Sequence, residues 1–350
     1  MFLLHQNNHP ATAKVGGAFP IFVLSIIYAL GVLVAERFVG MGLDFHPDAL
    51  NYLRIGASSR WDDLIFDPLN FIGSFYYFVV ALMVADPDLV IGLNMVVYAI
   101  TNFSIFSAIK NSGLIQNQLA WMAILAILLL DPYRVHLAVH PLKDSFVLLL
   151  VVLLVNNKSI FRFLIILIFG LFFTNRYFIY FSFIALLFFS HAFSFSISTN
   201  RLRSLFTLPL VSLCSIVFLF LFIHYYPVLL GSLSVGQGAN MQFRSFDTIP
   251  SFYHLGYPIS EILRSISWPL ILISGGFAIF SVTYAVAITP VIALWLILLK
   301  RGLSIQFFLV LAFCGCFGFV VSGFSTYIRY CYPVLISFIV FSYSRTWRHD

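Results

Sequence analysis

Residues 15–35 read VGGAFPIFVLSIIYALGVLVA, an apolar run that contains no charged side chain. A helix of about 20 such residues crosses the hydrocarbon core of a bilayer. The run lacks a small-residue cleavage site, so we expect a retained first helix and not a removed signal peptide.

The composition of the whole chain extends this interpretation. Of its 350 residues, 61% are hydrophobic and only 9% are charged, with a mean hydropathy of +1.00. A soluble domain carries about 25% charged residues. The apolar runs are also too long for the alternating strands of an outer-membrane barrel. The sequence therefore predicts one all-α domain over residues 1–350, a polytopic membrane protein of about ten helices (9–12). The ten predicted spans lie near residues 15–35, 88–109, 115–130, 142–155, 160–174, 178–195, 205–225, 275–299, 303–321 and 329–343.

The distribution of basic residues predicts the orientation. The net charge of +6 comes from basic residues that lie between apolar runs, which indicates topology and not nucleic-acid binding. Two further apolar pieces, residues 70–85 and 266–280, are open to interpretation as spans, re-entrant half-helices or interfacial helices. If neither piece crosses, one side holds ten basic residues and one acid, and the other side holds nine basic and twelve acidic residues. Because basic residues are retained inside, we expect cytoplasmic termini and two large outer loops, residues 36–87 and 226–268. The ten inner basic residues are Lys14, Lys110, Lys158, Arg162, Arg201, Arg203, Lys300, Arg301, Arg345 and Arg348.

The first outer loop begins ERFVGMGLDFHPDALNYLRIG, residues 36–56. Pro47 suits the first position of a short helix, and this helix would place Asp48 and Tyr52 four residues apart on one face. Acids near a helix N-terminus are favoured by the helix dipole alone, which is sufficient for Asp44. Asp48 also lies where a membrane enzyme needs a base at the water interface, so we take it as a catalytic candidate.

A second polar stretch, DPYRVHLAVHPLKDSFV, spans residues 131–147 between two predicted helices. His136 and His140 form an HxxxH pair that could hold zinc, but no acid accompanies them at metal-ligand spacing. We therefore predict neither a metal site nor a cofactor. Asp144 and His140 are catalytic candidates and Lys143 is a candidate ligand of an anion. Interface anchoring, with Lys143 and Asp144 as an ion pair, is the alternative.

Two arginines lie on the predicted outer side, where each opens an apolar helix. Arg176 occurs in TNRYFIY and Arg329 in STYIRYCYP. A cation at a helix N-terminus is opposed by the dipole, and an anionic ligand shared by both side chains would offset this cost. The guanidinium fork fits phosphate oxygens, whereas snorkelling to lipid headgroups is the alternative role. Arg244 in the second outer loop is a further candidate for the same anion.

These motifs resemble those of lipid-dependent membrane glycosyltransferases. An N-terminal helix followed by a large outer loop with Asp48 in DALNYL is similar to the GT-C class. The segments DPYRVHLAVHPLKDSFVLLL, FFTNRYFIY and STYIRYCYPV also resemble bacterial polysaccharide polymerases of the O-antigen (Wzy) type. Many GT-C enzymes carry paired acids in the first outer loop. This sequence lacks such a pair unless Asp44 and Asp48 take that role. This departure favours the metal-independent polymerase.

The resemblance implies a substrate, a reaction and a location. The substrate would be an undecaprenyl-diphosphate-linked oligosaccharide at the outer face of the bacterial cytoplasmic membrane. The enzyme would polymerise its repeat units, surrounded by membrane lipid and accompanied by a chain-length regulator protein. A GT-C transferase that uses a polyprenyl-phosphate sugar donor is the first alternative. A polysaccharide flippase is the second, although transporters typically place ionisable residues at mid-span.

Overall fold

The chain is helical throughout the part that the computed structural model describes, and this part contains no strand. The all-α prediction is therefore confirmed for these residues. The described residues are 19–58, 75–110, 126–192 except 127, 158, 175 and 176, then 252, 255–256, 258–280, 286–301, 305–320 and 324–345.

In the described part of the chain, eight helices precede the interval between residues 192 and 252. They are α1 (Phe19–Phe38), α2 (Pro47–Ser58), α3 (Phe75–Leu82), α4 (Pro87–Lys110), α5 (Pro132–Ala138), α6 (Asp144–Asn156), α7 (Ile160–Phe173) and α8 (Tyr177–Ala192). A single 3-10 turn, Leu43–Phe45, precedes α2.

The C-terminal part contributes a second group of helices. They are α9 (Ile259–Ser274), α10 (Phe277–Phe280), α11 (Thr289–Arg301), α12 (Ile305–Val320) and α13 (Phe324–Arg345). A 3-10 turn, Val286–Ile288, leads into α11.

Proline and aspartate together fix where two of these helices begin. Asp86 caps α4 by accepting hydrogen bonds from the backbone N–H groups of the second and third helical residues, at 2.8 and 3.3 Å. Asp131 caps α5 in the same way, at 3.0 and 3.4 Å. A proline follows each cap at the first helical position, where its missing N–H costs nothing. Asp131 is fully buried, and this burial raises its pKa to about 7, although Arg134 and the two N–H groups oppose the shift.

The helices pack around one large apolar core, with a smaller cluster under α1. α4, α6 and α13 pack against one another in the centre, and α1 lies against α4. α9 packs closely against α12. A Cβ atom added at Gly318 would lie 2.7 Å from the carbonyl oxygen of Arg264, and one at Gly315 would lie 3.0 Å from that of Ser265. Only glycine fits these two positions of α12 without moving α9.

Two of the described helices, Phe19–Phe38 and Pro87–Ile109, are long and apolar enough to cross a membrane. The doubtful piece at residues 70–85 contains α3, whose eight residues extend about 12 Å, well short of a bilayer core of about 30 Å.

The predicted span 275–299 is wrong as a single helix. Gly275 adopts a left-handed backbone conformation (φ +72°) that ends α9, and two short elements precede α11. The predicted outer loop 226–268 correspondingly ends in a helix, since α9 already begins at Ile259.

Candidate active site

The described part of the chain brings together three of the residues that the sequence singled out. The guanidinium of Arg329 donates two hydrogen bonds to Asp144, from Nε to Oδ1 at 2.8 Å and from Nη2 to Oδ2 at 2.5 Å. Its third nitrogen, Nη1, donates to Oδ2 of Asp48 at 2.7 Å. One arginine thus joins two carboxylates from helices that are far apart in sequence. Bidentate pairs of this kind are the strong, geometrically specific form of the ion pair.

The local sequence of each helix explains how these side chains meet. Asp48 lies in the first turn of α2, directly after Pro47, and Asp144 begins α6. Arg329 lies in the second turn of α13, four residues before Pro333. Because a proline has no N–H for the carbonyl four residues earlier, the α13 ladder is interrupted at the turn that carries Arg329.

The three charged residues line a cavity of about 190 Å³. Four helices and the residue that ends α7 contribute to its wall, which contains both charged and aromatic side chains. The lining residues are Asp48, Tyr52, Lys143, Asp144, Val147, Thr174, Tyr180, Arg329, Tyr330 and Pro333. As predicted from the four-residue spacing, Asp48 and Tyr52 lie on one face of α2.

The two carboxylates differ in their exposure. The side chain of Asp48 is 55% exposed, whereas those of Asp144 and Arg329 are 17% and 12% exposed. Asp144 is therefore the internal counter-ion of Arg329, and Asp48 is the carboxylate that a ligand in the cavity can reach. Lys143 adds a second cation, with its Nζ 5.8 Å from the ring centre of Tyr52.

A buried amide holds the segment that carries Lys143 and Asp144. Nδ2 of Asn94, on α4, donates to the backbone carbonyl oxygens of His140 at 2.7 Å and Leu142 at 3.0 Å. Asn94 is fully buried, so neither carbonyl has water as a substitute partner. The turn into α6 is thereby fixed to the centre of the bundle.

The sequence argument about Arg329 needs one change. We expected an external anion to offset the cost of this cation, but Asp144 and Asp48 already provide two carboxylates. The predicted partners Arg176 and Arg244 lie outside the described residues. In the sequence, Arg176 stands between Thr174 and Tyr180, which both line the cavity.

His140 does not line this cavity but belongs to a neighbouring cluster of imidazoles. Nε2 of His46 lies 2.9 Å from Nε2 of His136. Oε1 of Glu36 lies 2.7 Å from Nδ1 of His136, and its Oε2 lies 3.0 Å from Nε2 of His140. The donor atoms of the three histidines all lie within 4.8 Å of one another. We refer to these four residues as the His/Glu cluster.

The cluster shows what the sequence analysis missed. The HxxxH pair was recognised, but Glu36 supplies the acid from 100 residues upstream and His46 supplies a third imidazole. One signal was available, since Glu36 lies near the C-terminal end of α1, where the helix dipole opposes an acid. Burial and the nearby histidines lower the pKa of His46 to about 3, which keeps its ring neutral.

Comparison with known proteins adds no family assignment. No protein-family model matches the chain, and neither a curated protein nor a solved structure resembles it significantly.

Proposed function

We propose that this protein is a polysaccharide polymerase that joins lipid-linked oligosaccharide repeat units at the outer face of a bacterial cytoplasmic membrane. The observation that carries the proposal is the polar cavity in which Arg329 joins a half-buried and an exposed carboxylate, beside Lys143. The motif resemblance of the surrounding segments to O-antigen polymerases supports the same assignment.

Apolar surface supports the membrane location. Only 11% of the apolar window of α1 is buried inside the protein, and residues such as Phe19, Leu24 and Ile27 are more than half exposed. α7 exposes Phe161 and Ile168 in the same way. Contiguous apolar surface of this kind requires a lipid environment or a partner. We propose a multi-pass arrangement with both termini cytoplasmic, as the basic residues of the sequence indicate.

The charges around the cavity suit a diphosphate leaving group and an acceptor hydroxyl. Arg329 and Lys143 together balance Asp48 and Asp144, so the cavity holds no excess charge of either sign. A donor phosphate that binds Nη1 of Arg329 takes the place of Asp48, the exposed carboxylate. Asp48 is then free to accept a hydrogen bond from a sugar hydroxyl. Asp144 keeps its two bonds and holds the guanidinium in place.

The reaction follows from these positions. The terminal hydroxyl oxygen of a newly delivered repeat unit attacks the anomeric carbon of the growing chain. The bond from this carbon to the phosphate oxygen breaks, and its electron pair leaves with the lipid diphosphate. The hydroxyl proton passes to Asp48 and then to solvent, and Arg329 and Lys143 stabilise the negative charge of the departing diphosphate. Since Arg176 is proposed to contact the same diphosphate, it would add to this stabilisation.

The size of the cavity agrees with a site at the junction of two chains. Pockets for whole drug-sized ligands measure roughly 300–1,000 Å³. At about 190 Å³, the cavity accepts one sugar ring or one phosphate group. The rest of each substrate would extend into water on one side and into lipid on the other.

Gel analysis of surface polysaccharide after deletion of the gene tests the proposal. A polymerase predicts that a single repeat unit persists on its carrier while the ladder of longer chains disappears. A shortened or absent repeat unit would instead indicate a transferase that adds one sugar, and loss of all surface sugar would indicate export. Either of these two outcomes would refute the polymerase assignment.

Cysteine labelling tests the proposed orientation. A cysteine placed at Gly302, between two predicted spans, should be protected from an impermeant reagent applied to intact cells. A cysteine at Ala57 in the first outer loop should react. Labelling at Gly302 from outside would overturn the topology.

A further inference from the structure

The His/Glu cluster is separate from the cavity, and the proposed reaction does not use it. It joins three segments of the chain: the end of α1, the link before α2, and α5 with the turn that follows it. It is largely buried, since the side chain of His140 is 2% exposed and those of His136 and Glu36 are 16% and 13% exposed. The ring of Phe45 covers the three imidazoles, with centroid distances of 5.1 to 6.0 Å.

We propose that the His/Glu cluster binds one divalent transition-metal ion, and that Zn²⁺ is the ion its donors fit best. Imidazole nitrogens suit zinc and its neighbours in the transition series, whereas Mg²⁺ and Ca²⁺ take oxygen ligands. Three imidazoles make a donor set that zinc accepts in tetrahedral geometry, with the fourth position open to water. Packing alone does not explain why three histidines and a glutamate meet here, since apolar side chains would fill the same junction.

The distances agree with this geometry. In a tetrahedral site with Zn–N bonds of about 2.0–2.1 Å, two ligand nitrogens are about 3.3 Å apart. Nε2 of His46 and Nε2 of His136 are already 2.9 Å apart. The donor atom of the third histidine lies within 4.8 Å of the other two, about 1.5 Å beyond this spacing at most. Each donor comes from a side chain that the fold already directs at one point.

Glu36 completes the site in a way that is typical of metal-bound histidines. Its Oε1 lies 2.7 Å from Nδ1 of His136 and accepts a hydrogen bond from that nitrogen. This bond leaves Nε2 of His136 as the free lone pair that faces His46. Its Oε2 lies 3.0 Å from Nε2 of His140 and orients that ring in the same way, which leaves the buried Nδ1 of His140, an atom without a hydrogen-bond partner, available to the ion. A carboxylate that orients a ligand histidine strengthens the site, and its loss typically weakens metal binding about 10–100-fold.

The metal would act as a positioning device for the cavity. His46 is followed directly by Pro47 and Asp48, and His140 is followed within four residues by Lys143 and Asp144. An ion that ties His46 to His140 therefore fixes the distance between the two carboxylates that meet at Arg329. Metal binding stands independently of the polymerase assignment, and only this consequence for Asp48 rests on the proposed function.

The test begins with the full-length wild-type chain, purified in detergent with an affinity tag that contains no histidine. Elemental analysis should find about one zinc per chain. After removal of the metal with a chelator, addition of Zn²⁺ alone should raise the unfolding temperature in a saturable way. Cobalt(II) in its place should show the visible absorption of a tetrahedral site. Metal-free wild-type protein, together with no thermal shift in micromolar Zn²⁺, would overturn the proposal without reference to any variant.

Substitutions then locate the ion. His136→Ala should reduce bound zinc to near zero, and Glu36→Gln, which keeps the shape of the side chain, should weaken binding about 10–100-fold. His191→Ala, a change of the same residue type within α8, should leave zinc binding unaltered. Equal zinc binding by His136→Ala and wild-type protein would show that the ion lies elsewhere and would refute this site. The two proposals can fail separately. If the protein binds zinc but deletion of its gene leaves the polysaccharide ladder intact, the metal site is upheld and the polymerase is refuted.

Discussion

Asparagine at position 48 separates a catalytic carboxylate from a structural one. Asp48→Asn keeps the size of the side chain and an oxygen that can accept a hydrogen bond from Arg329, but it removes the negative charge. In the wild type the Asp48 side chain is 55% exposed and its contact with Nη1 of Arg329 is 2.7 Å. Exposed ion pairs contribute at most about 1 kcal/mol, because water screens the charges. The free energy of unfolding should therefore change by less than about 1 kcal/mol.

The expected effect on the reaction is much larger. Loss of a general base slows a reaction by about 10²–10⁴-fold. Each tenfold change corresponds to about 1.4 kcal/mol, so the activation barrier should rise by roughly 3–5 kcal/mol. The effect on catalysis thus exceeds the effect on stability several-fold, and the two can be measured on the same variant.

Two measurements are needed, and the chain offers a matched control. Ladder formation is measured in a deletion strain that expresses each variant at equal levels, and stability is measured by thermal unfolding in detergent. Asp88 is the second residue of α4, directly after Pro87, just as Asp48 is the second residue of α2, directly after Pro47. Asp88 lies outside the cavity. Asp88→Asn should change neither measurement. If Asp48→Asn forms a wild-type ladder, Asp48 is not catalytic and only stabilises the N-terminus of α2.

Arg329→Lys should lower stability as well as turnover. Lysine keeps the positive charge but cannot form the three hydrogen bonds that join Arg329 to Asp144 and Asp48. A hydrogen bond to a charged group contributes about 1.5–3 kcal/mol, so losing one or two should lower stability measurably as well as turnover. Unchanged stability of Arg329→Lys would contradict the structural role assigned to the pair with Asp144.

Three further predictions concern the scaffold around the site. Gly318→Ala should destabilise the protein by about 1–3 kcal/mol, because its Cβ would meet a backbone carbonyl of α9 at 2.7 Å, whereas Gly92→Ala, with open space around it, should be neutral or stabilising in the same thermal unfolding experiment. Asn94→Ala should cost about 1–3 kcal/mol and impair the ladder, because the buried carbonyl of Leu142 loses its donor and that of His140 keeps only the N–H of Leu142; the exposed Asn51→Ala is the control, and equal melting temperatures for the two variants would refute this argument. The pKa of Asp131 is raised from 3.8 to about 7 in the folded state, so its protonation favours folding and this contribution is lost as the pH rises. The wild type should therefore lose about 3 kcal/mol of stability relative to Asp131→Asn between pH 5 and pH 8, and a difference that does not vary with pH would contradict the raised pKa.

The candidate residues could be predicted one at a time from the sequence, but their pairing could not. Asp144 and Arg329 stood out as charges at the entry to an apolar helix, and Asp48 as an acid at the water interface in the first outer loop. Asp144 and Arg329 are 185 residues apart, and Asp48 and Arg329 are 281 apart. Which helix starts meet depends on the packing of α2, α6 and α13, and helical periodicity carries no information about such long-range contacts. The anion that offsets Arg329 was accordingly sought in a ligand although the chain supplies it.

Hydropathy predicted the extent of a helix correctly where the apolar run contains no residue that breaks the helix. The apolar runs of α1 and α4 gave helices of nearly the predicted extent. The run at residues 275–299 did not, because Gly275 takes a left-handed conformation that hydropathy does not register. The argument against a metal site missed Glu36 for a different reason. Metal-ligand spacing was tested only within one segment, whereas the cluster draws its donors from segments about 100 residues apart.

The position of Asp48 is the point at which the two sites depend on each other. Among the described contacts of its side chain, the bond to Arg329 holds Asp48 from one side. When a donor phosphate takes over Nη1, this restraint is lost at the moment when the carboxylate must face an acceptor hydroxyl. The remaining restraint comes through the backbone, from His46 across Pro47, whose ring fixes one of the intervening torsions. A rigid His/Glu cluster therefore keeps the freed carboxylate near its place, and the more firmly His46 is held, the less orientational freedom Asp48 must lose in the transition state.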